Sequence, residues 1–562
     1  MLSRLAGNGA EERKGRTRGV VYTPIALADW LACRTLELLL PAAGSTEGGE
    51  APGRVGRAVQ PVREDGLPAP TSCCAAPTAP HLPSGTPRVL DPACGEGSLL
   101  LGALHALVQR GMPPALVVGG SLFGLDSDPA AVPACRQALL AAAARLGAPP
   151  AALSWAEAAL ARHIRVTDAL LDPPGEPFDA VLSNPPYIRA AHDDQTRRRR
   201  LRERYRAARG AFDLLVPFVE LALRVLRPGG VLGLVTSNKW LVADYGARLR
   251  AMVADELELT WLLDLADAPQ LFPGVLVSPV VVVGRKQAPP SGRMVRVGRA
   301  TRETASLDHL PTRPRRQSDL LIGPRLLGGS EVVWRAAARM WAAGPPLGGV
   351  ALVRGGVMGF AYRQVCEQLA EAEEGESGGR VLCPGNVGRY EVRWGQPVRL
   401  GGRVRRRPVL PRDAPGVSAA AWEFFSRPKV VVKGVARRMS AALDREGSVL
   451  LVALWGVADC GVPLEALLAL LNSRPIAWLH RQQLHGARIP QGSFRFPLSW
   501  LKQLPVPAGV EVLAEAAAQR PAGPEGTTQA RTERGIDRLV CDLYHLSARE
   551  RRLVLGDGDA EA

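Results

Sequence analysis

The 562-residue chain is short of aromatic residues (5%), has only eight histidines and contains no long apolar run. No stretch approaches the roughly 18 apolar residues that a membrane span needs, which excludes a transmembrane helix. The opening segment, MLSRLAGNGAEERKGR, has no apolar core and does not read as a secretory signal. Nine cysteines are scattered, with none in C-x-x-C spacing. An odd number, with Cys73 and Cys74 adjacent, argues against a secreted disulfide framework, and no zinc-like pattern is present. The expectation is a cytoplasmic protein with no metal and no membrane partner. Acids are also outnumbered: 54 Asp and Glu face 70 Lys and Arg, leaving a net charge of +16. A surplus of that size suits a polyanionic partner, because phosphate contacts release condensed counterions and steer the encounter.

The length allows two or three domains. Residues 20–40 read as a short extended entry into an amphipathic helix, and 1–40 is taken as an N-terminal cofactor-binding segment. Residues 41–87, rich in Gly, Pro, Ala, Ser and Thr without apolar periodicity, read as a flexible insertion. From Arg88 strands alternate with helices: RVLDPACGEGSLLLGALHALVQ, then SLFGLDSDPAAVPACRQALLAAAARL, then FDAVLSNPPY, then FVELALRVLRPGGVLGLVTSNKWL. That rhythm predicts a doubly wound, Rossmann-like α/β domain over 88–300, with ligands at the carboxyl ends of its strands. The remainder divides into an expected linker at 301–344, a mixed α+β domain at 345–510, and a linker with a C-terminal helix at 511–562.

The strand ends carry the chemistry. Asp91-Pro92-Ala93-Cys94-Gly95-Glu96-Gly97 closes the first strand, with glycines that let backbone approach a ligand closely. Asp126, followed by Ser127, ends the next strand and is placed to accept hydrogen bonds from ribose hydroxyls. A third acid, Asp168, precedes the following strand. No Walker lysine follows the glycines, which counts against a nucleotide triphosphatase. Asn184-Pro185-Pro186-Tyr187 ends the strand FDAVLS. The two prolines hold the turn and remove donors, so an asparagine oxygen and a backbone carbonyl face a substrate amine. Accepting both amine hydrogens pulls a conjugated amine toward tetrahedral geometry and frees its lone pair. Tyr187 offers a face for a base taken out of the duplex.

These segments, with the earlier VYTP, resemble the motifs of the gamma order of amino-methyltransferases, the TaqI-type DNA adenine methyltransferases in particular. The resemblance covers residues 20–38 and 88–285. It extends more loosely through GGVMGF, RPKVVVKGVARRMSAALD and LLALLNSRPIAWLHR with SWLKQLPVP. It implies S-adenosylmethionine as cofactor, with Tyr22, Thr23 and Pro24 on its methionine side. Asp91, Ala93, Gly95 and Gly97 would surround it, Asp126 and Ser127 would meet the ribose, and Asp168 the adenine. Asn184 and Pro185 would bind the target amine, Pro186 would stiffen the turn, and Tyr187 and Phe272 would touch the flipped base. Two positions depart from the family: Glu96 stands where a small residue is usual, and Ala169 where an aromatic often packs on the cofactor.

The expected macromolecular partner is double-stranded DNA. From Arg197 to Arg209 there are eight arginines and one acid, Glu203. Arg197, Arg198, Arg199 and Arg200 are taken as phosphate contacts, and a solvated loop is the alternative reading of the run. In the later domain Arg403, Arg405, Arg406 and Arg407, then Lys429, Lys433, Arg437 and Arg438, mark a target-recognition surface. Together these features predict a monomeric site-specific adenine methyltransferase, with a separately encoded restriction endonuclease as a further partner. Methylation of RNA or of a protein glutamine, and an inactive DNA-binding relative, are the competing readings.

Overall fold

In a computed structural model of the protein, the described residues are 23–40, 85–175, 177–188, 194–272, 278–321, 330–372, 378–412, 414–483, 488–489, 493–520 and 526–556. Tyr22 and residues 41–84 of the expected insertion lie outside them. The chain divides into two compact units. The first takes in residues up to Trp240 and Tyr245–Gln317, and the second Leu241–Asp244 and everything from Ser318.

The first unit alternates as the sequence predicts. Helix α1 (Ile25–Leu39) precedes β1 (Val89–Asp91), α2 (Ser98–Val108), β2 (Leu122–Asp126), α3 (Ala131–Arg145), α4 (Pro150–His163) and β3 (Ile164–Val166). Then come β4 (Phe178–Ser183), α5 (Gln195–Arg204), α6 (Leu215–Val225), β5 (Leu226–Ser237), α7 (Ala247–Glu256), β6 (Leu257–Asp264), β7 (Pro279–Lys286), β8 (Met294–Arg299) and β9 (Thr312–Arg316). The nine strands form one sheet in the order β3-β2-β1-β4-β5-β7-β6-β8-β9. The strands β3, β2, β1, β4 and β5 are mutually parallel, while β7 runs antiparallel between β5 and β6. The continuous apolar runs suit such strands: Val280, Val281, Val282 and Val283 of β7 are all buried, as parallel-rich sheets covered on both faces require. Helix α1 lays Leu27, Leu31 and Leu36 into the same core as Leu99, Leu100 and Leu104 of α2.

The strand order steps outward from β1 through β2 to β3, then resumes on the other side at β4. The gap between the carboxyl ends of β1 and β4 is therefore the topological switch point, where doubly wound sheets hold their ligands.

The second unit has a four-stranded antiparallel sheet in the order β10 (Leu352–Gly355), β15 (Leu454–Ala458), β13 (Lys429–Lys433), β14 (Ala441–Asp444). Between β10 and β13 stand a two-stranded ribbon, β11 (Val398–Leu400) and β12 (Arg403–Arg405), and three strands of a second four-stranded sheet, whose fourth strand, Val449–Leu450, follows β14.

Two expected boundaries move. Residues 301–344 are not a linker: β9 extends the first unit's sheet, and the helix Glu331–Ala342 puts Ala336, Ala337 and Met340 into the second unit's core. At 511–562 helices stand where the C-terminal helix was expected, and a further helix, Val512–Ala518, occupies part of the expected linker. Leu513, Ile536, Val540, Tyr544 and Val554, from helices Val512–Ala518, Thr527–Leu543 and Ala548–Leu555, pack into that same core. In both segments the apolar residues complete a core built elsewhere in the chain.

Candidate active site

Strands β1 and β4 pair in parallel, Val89 opposite Ala180 and Leu90 opposite Val181. The Asp91–Gly97 loop and the Asn184–Tyr187 turn thus leave neighbouring strands at the switch point, although about ninety residues separate them in the chain. Asp91 is 1% exposed, and its Oδ1 accepts the Ala93 N–H at 3.0 Å. Burial pushes its carboxyl up to about 7; the Ala93 amide pulls the other way. Gly95 and Gly97 take left-handed φ values of 51° and 93°, and Gly97 stands at the N-terminus of α2. A Cβ on Gly97 would lie 2.7 Å from Cys135 Sγ, whereas one on Gly95 would meet nothing within 4 Å. The loop is closed from behind by α3 and open on its outer side.

Asp126 ends β2 next to this loop. Its Oδ2 accepts the Gly95 N–H at 2.8 Å and its Oδ1 the Asp128 N–H at 2.9 Å. The acid therefore braces the glycine loop, and each oxygen keeps a lone pair for a ligand hydroxyl. Ser127 is exposed beside it. Asp168 caps its own turn by accepting the Leu170 N–H at 3.0 Å.

The Asn184 carboxamide is held from both sides. Its Nδ2 donates to Thr23 Oγ1 at 3.0 Å, and its Oδ1 accepts the Tyr187 hydroxyl at 2.8 Å. Thr23 is buried at the head of α1, and Pro24 occupies the N-cap position of that helix. The head of the N-terminal helix thus reaches the Asn184–Tyr187 turn. Tyr187 is largely enclosed, and burial raises its phenol above the ordinary value. Phe272 is 3% exposed within the core cluster, so it lies closed off and does not present a free face.

The arginine run is not a loop. Residues Gln195–Arg204 form α5, whose N-cap Asp194 accepts from the backbone N–H of Thr196 and Arg197. Leu201 and Tyr205 bury its inner side, and the carboxylate of fully buried Glu220 accepts the N–H groups of Arg206 and Ala207 at 3.0 and 2.8 Å. Arg199 and Arg200 are exposed and Arg198 is half-buried. Arg197 is a correction to the phosphate-contact expectation: its Nε donates to Asp168 Oδ2 at 2.9 Å. The contacts by Glu220 and Tyr205 had no sequence signal, since each joins residues far apart in an unremarkable pattern.

In the second unit Lys429 is likewise corrected. It is 0% exposed and pairs at 2.9 Å with Asp444, itself 1% exposed, so it cannot reach DNA. Its place on the central strand β13, opposite Asp444 of β14, makes it part of the core. Arg437 is exposed; Lys433 and Arg438 are half-buried, and Arg438 faces Glu533 at 4.0 Å. The β11–β12 ribbon turns through Gly401-Gly402, seats Val398 and Leu400 in the core and leaves Arg399, Arg403 and Val404 outward, with Arg406 and Arg407 exposed beyond it.

An open glycine loop over a buried, cation-deficient carboxylate, next to a second braced acid, fits a ligand that carries positive charge and ribose hydroxyls. Sheet order, the antiparallel β7 and the paired loops at the switch point define the first unit as a Rossmann-like methyltransferase fold. Residues 121–272 match the family model of the Eco57I restriction-modification methylase. The chain is 31% identical over 215 residues to the Type II methyltransferase M.XhoI of Xanthomonas vasicola, a match covering 36% of this chain and 38% of that protein. It is 26% identical over 254 residues to the adenine-specific methyltransferase PglX of Streptomyces coelicolor, covering 36% of this chain and 21% of that protein. A solved structure of the type IIL restriction-modification enzyme MmeI in complex with DNA covers 84% of this chain and 72% of its own, at 12% identity and a TM-score of 0.49. The chain spans less than half the length of the first curated relatives it matches. Among the described residues no helix is long and apolar enough to cross a membrane.

Proposed function

We propose that the protein methylates the exocyclic N6 amine of adenine at a specific site in duplex DNA, using S-adenosylmethionine. The observation that carries this reading is the side-by-side placement of the Asp91–Gly97 loop and the Asn184–Tyr187 turn on adjacent parallel strands. One would hold the methyl donor and the other the amine.

S-adenosylmethionine, bound over Gly95 and Gly97 with Asp91, Asp126 and Asp168 around it, supplies a methyl sulfonium. Thr23 accepts from the Asn184 amide nitrogen and so fixes the plane of the carboxamide whose oxygen would meet the target. That oxygen accepts from Tyr187 and, through its second lone pair, from one amine hydrogen. The Pro185 carbonyl accepts the other, and Pro186 brings no N–H to compete. With both hydrogens held, the amine lone pair would be free to take the methyl group as the thioether leaves, and the surplus proton would pass to solvent. Positioning and a dry pocket supply the acceleration. Reaching the amine requires the base to leave the stack, and the Tyr187 ring receives it.

Adenine is favoured by the N-P-P-Y turn and by the adenine-specific relative. Exposed arginines of α5 would hold phosphates. The β11–β12 ribbon has the width of elements that enter the major groove and would serve target recognition. We place the protein in the cytoplasm as a monomer, working beside a separately encoded restriction endonuclease. The deciding experiment is transfer of labelled methyl to unmethylated genomic DNA with nucleoside analysis and mapping of modified positions. Methyladenine in one recurring motif is the expected result; absence of label from DNA, with cofactor bound, would sink the reading.

A further inference from the structure

Arg197 differs from the other arginines of its helix. Its side chain is 23% exposed, against 76% for Arg199 two residues later, and its Nε donates to Asp168 at 2.9 Å. The contact is not isolated. Arg204 of the same helix donates to the Leu171 carbonyl at 2.6 Å, and the Tyr205 hydroxyl donates to the Leu170 carbonyl at 2.9 Å. Three side chains thus fasten α5 to the turn at 168–171, the turn that presents the third acid of the strand-end series.

Resting on the proposal that Asp168 meets the cofactor's adenine, we infer that Arg197 is a positioning residue for cofactor binding and not a phosphate contact. The guanidinium occupies one lone pair of Oδ2, while the Leu170 N–H occupies one of Oδ1. The carboxylate is then fixed in plane, with its remaining lone pairs free for the exocyclic amine of an adenine. A free carboxylate at a partly open edge would have to be ordered at the moment of binding, which costs affinity.

The sign separates this role from its opposite. Were Arg197 an occluding group on Asp168, its removal would tighten cofactor binding. Calorimetry of S-adenosylmethionine on the full chain should show Arg197→Ala about tenfold weaker, and Arg197→Lys recovering most of the loss. In DNA binding, Arg197→Ala should leave the salt slope as it was. Unchanged or tighter cofactor binding, or a salt slope reduced by about one, overturns the inference. Asp168→Asn distinguishes the two levels: if it binds cofactor as wild type does, the reading of Asp168 fails and this inference with it. If Asp168→Asn weakens binding while Arg197→Ala does not, only the inference fails.

Discussion

The Tyr187 hydroxyl donates to Oδ1 of Asn184 at 2.8 Å, so the residue expected to stack on the base also holds the oxygen expected to receive its amine. Ring and hydroxyl have separable duties. Tyr187→Phe keeps the ring and should lower the methyl-transfer rate about tenfold, the scale of one hydrogen bond to a working group, with cofactor affinity unchanged. Asn184→Ala should abolish transfer and still bind cofactor. Single-turnover transfer beside calorimetry checks both, and turnover retained in Asn184→Ala would refute the catalytic assignment.

With Asp91 at the proposed cofactor site, binding should depend on pH. Burial raises its carboxyl from 3.8 to about 7 in the free protein. The native state therefore keeps a proton that the unfolded chain gives up, and this contribution to stability is full below 3.8 and lost as pH rises to about 7. A cationic ligand favours the carboxylate, so S-adenosylmethionine should bind more tightly as pH rises toward 7 and release a proton below it. Calorimetry in two buffers of different ionisation enthalpy measures that proton. Asp91→Asn should remove both trends.

At Gly97 two costs coincide, a φ of 93° and a Cβ position 2.7 Å from Cys135 Sγ. Gly97→Ala should lower stability by about 1–3 kcal/mol from the backbone alone, with the clash added. Adding Cys135→Ala should return part of that loss. A double-mutant cycle by denaturant unfolding separates the terms, and full recovery would mean the backbone strain is negligible.

The ion pair of Lys429 and Asp444 predicts a stability effect where the sequence suggested a binding effect. Lys429→Ala leaves a buried carboxylate uncompensated and should cost about 3–5 kcal/mol. Its melting temperature should fall, while DNA affinity of the protein that remains folded keeps its salt slope. A flattened slope would restore Lys429 to the interface.

Arg199 and Arg200 are exposed on α5 and should behave in the opposite manner to Lys429. Replacing both with Ala should weaken binding to all DNA sequences and reduce the salt slope by about two, leaving melting unchanged. Equal slopes would make the run a solvated helix face without a DNA role.

Much of the first unit could be read in advance because its signals are local. A strand ending in Asp-Pro-x-x-Gly, a helix after it, and a proline turn after a buried strand each follow from residues within about ten positions, through glycine and proline dihedral limits and the β-to-α change in apolar period. The residue types at the strand ends also follow from chemistry: acids for hydroxyls and cations, an asparagine oxygen for an amine. Among the basic residues the sequence determined charge but not address. Arg197, Arg199 and Lys429 carry the same sign, and nothing within ten residues of each tells a partner of Asp168, a solvent-facing helix position and a buried ion pair apart. That difference depends on which strand or turn packs opposite, Asp168 for Arg197 and Asp444 for Lys429, and such pairing is a long-range choice made by core packing. The linker expected at 301–344 failed for a related reason: the helix Glu331–Ala342 carries an apolar face, but the core that covers it is contributed by distant residues. The strand-end chemistry was thus written in local sequence, while the tertiary fold alone decided which charges face solvent and which face each other.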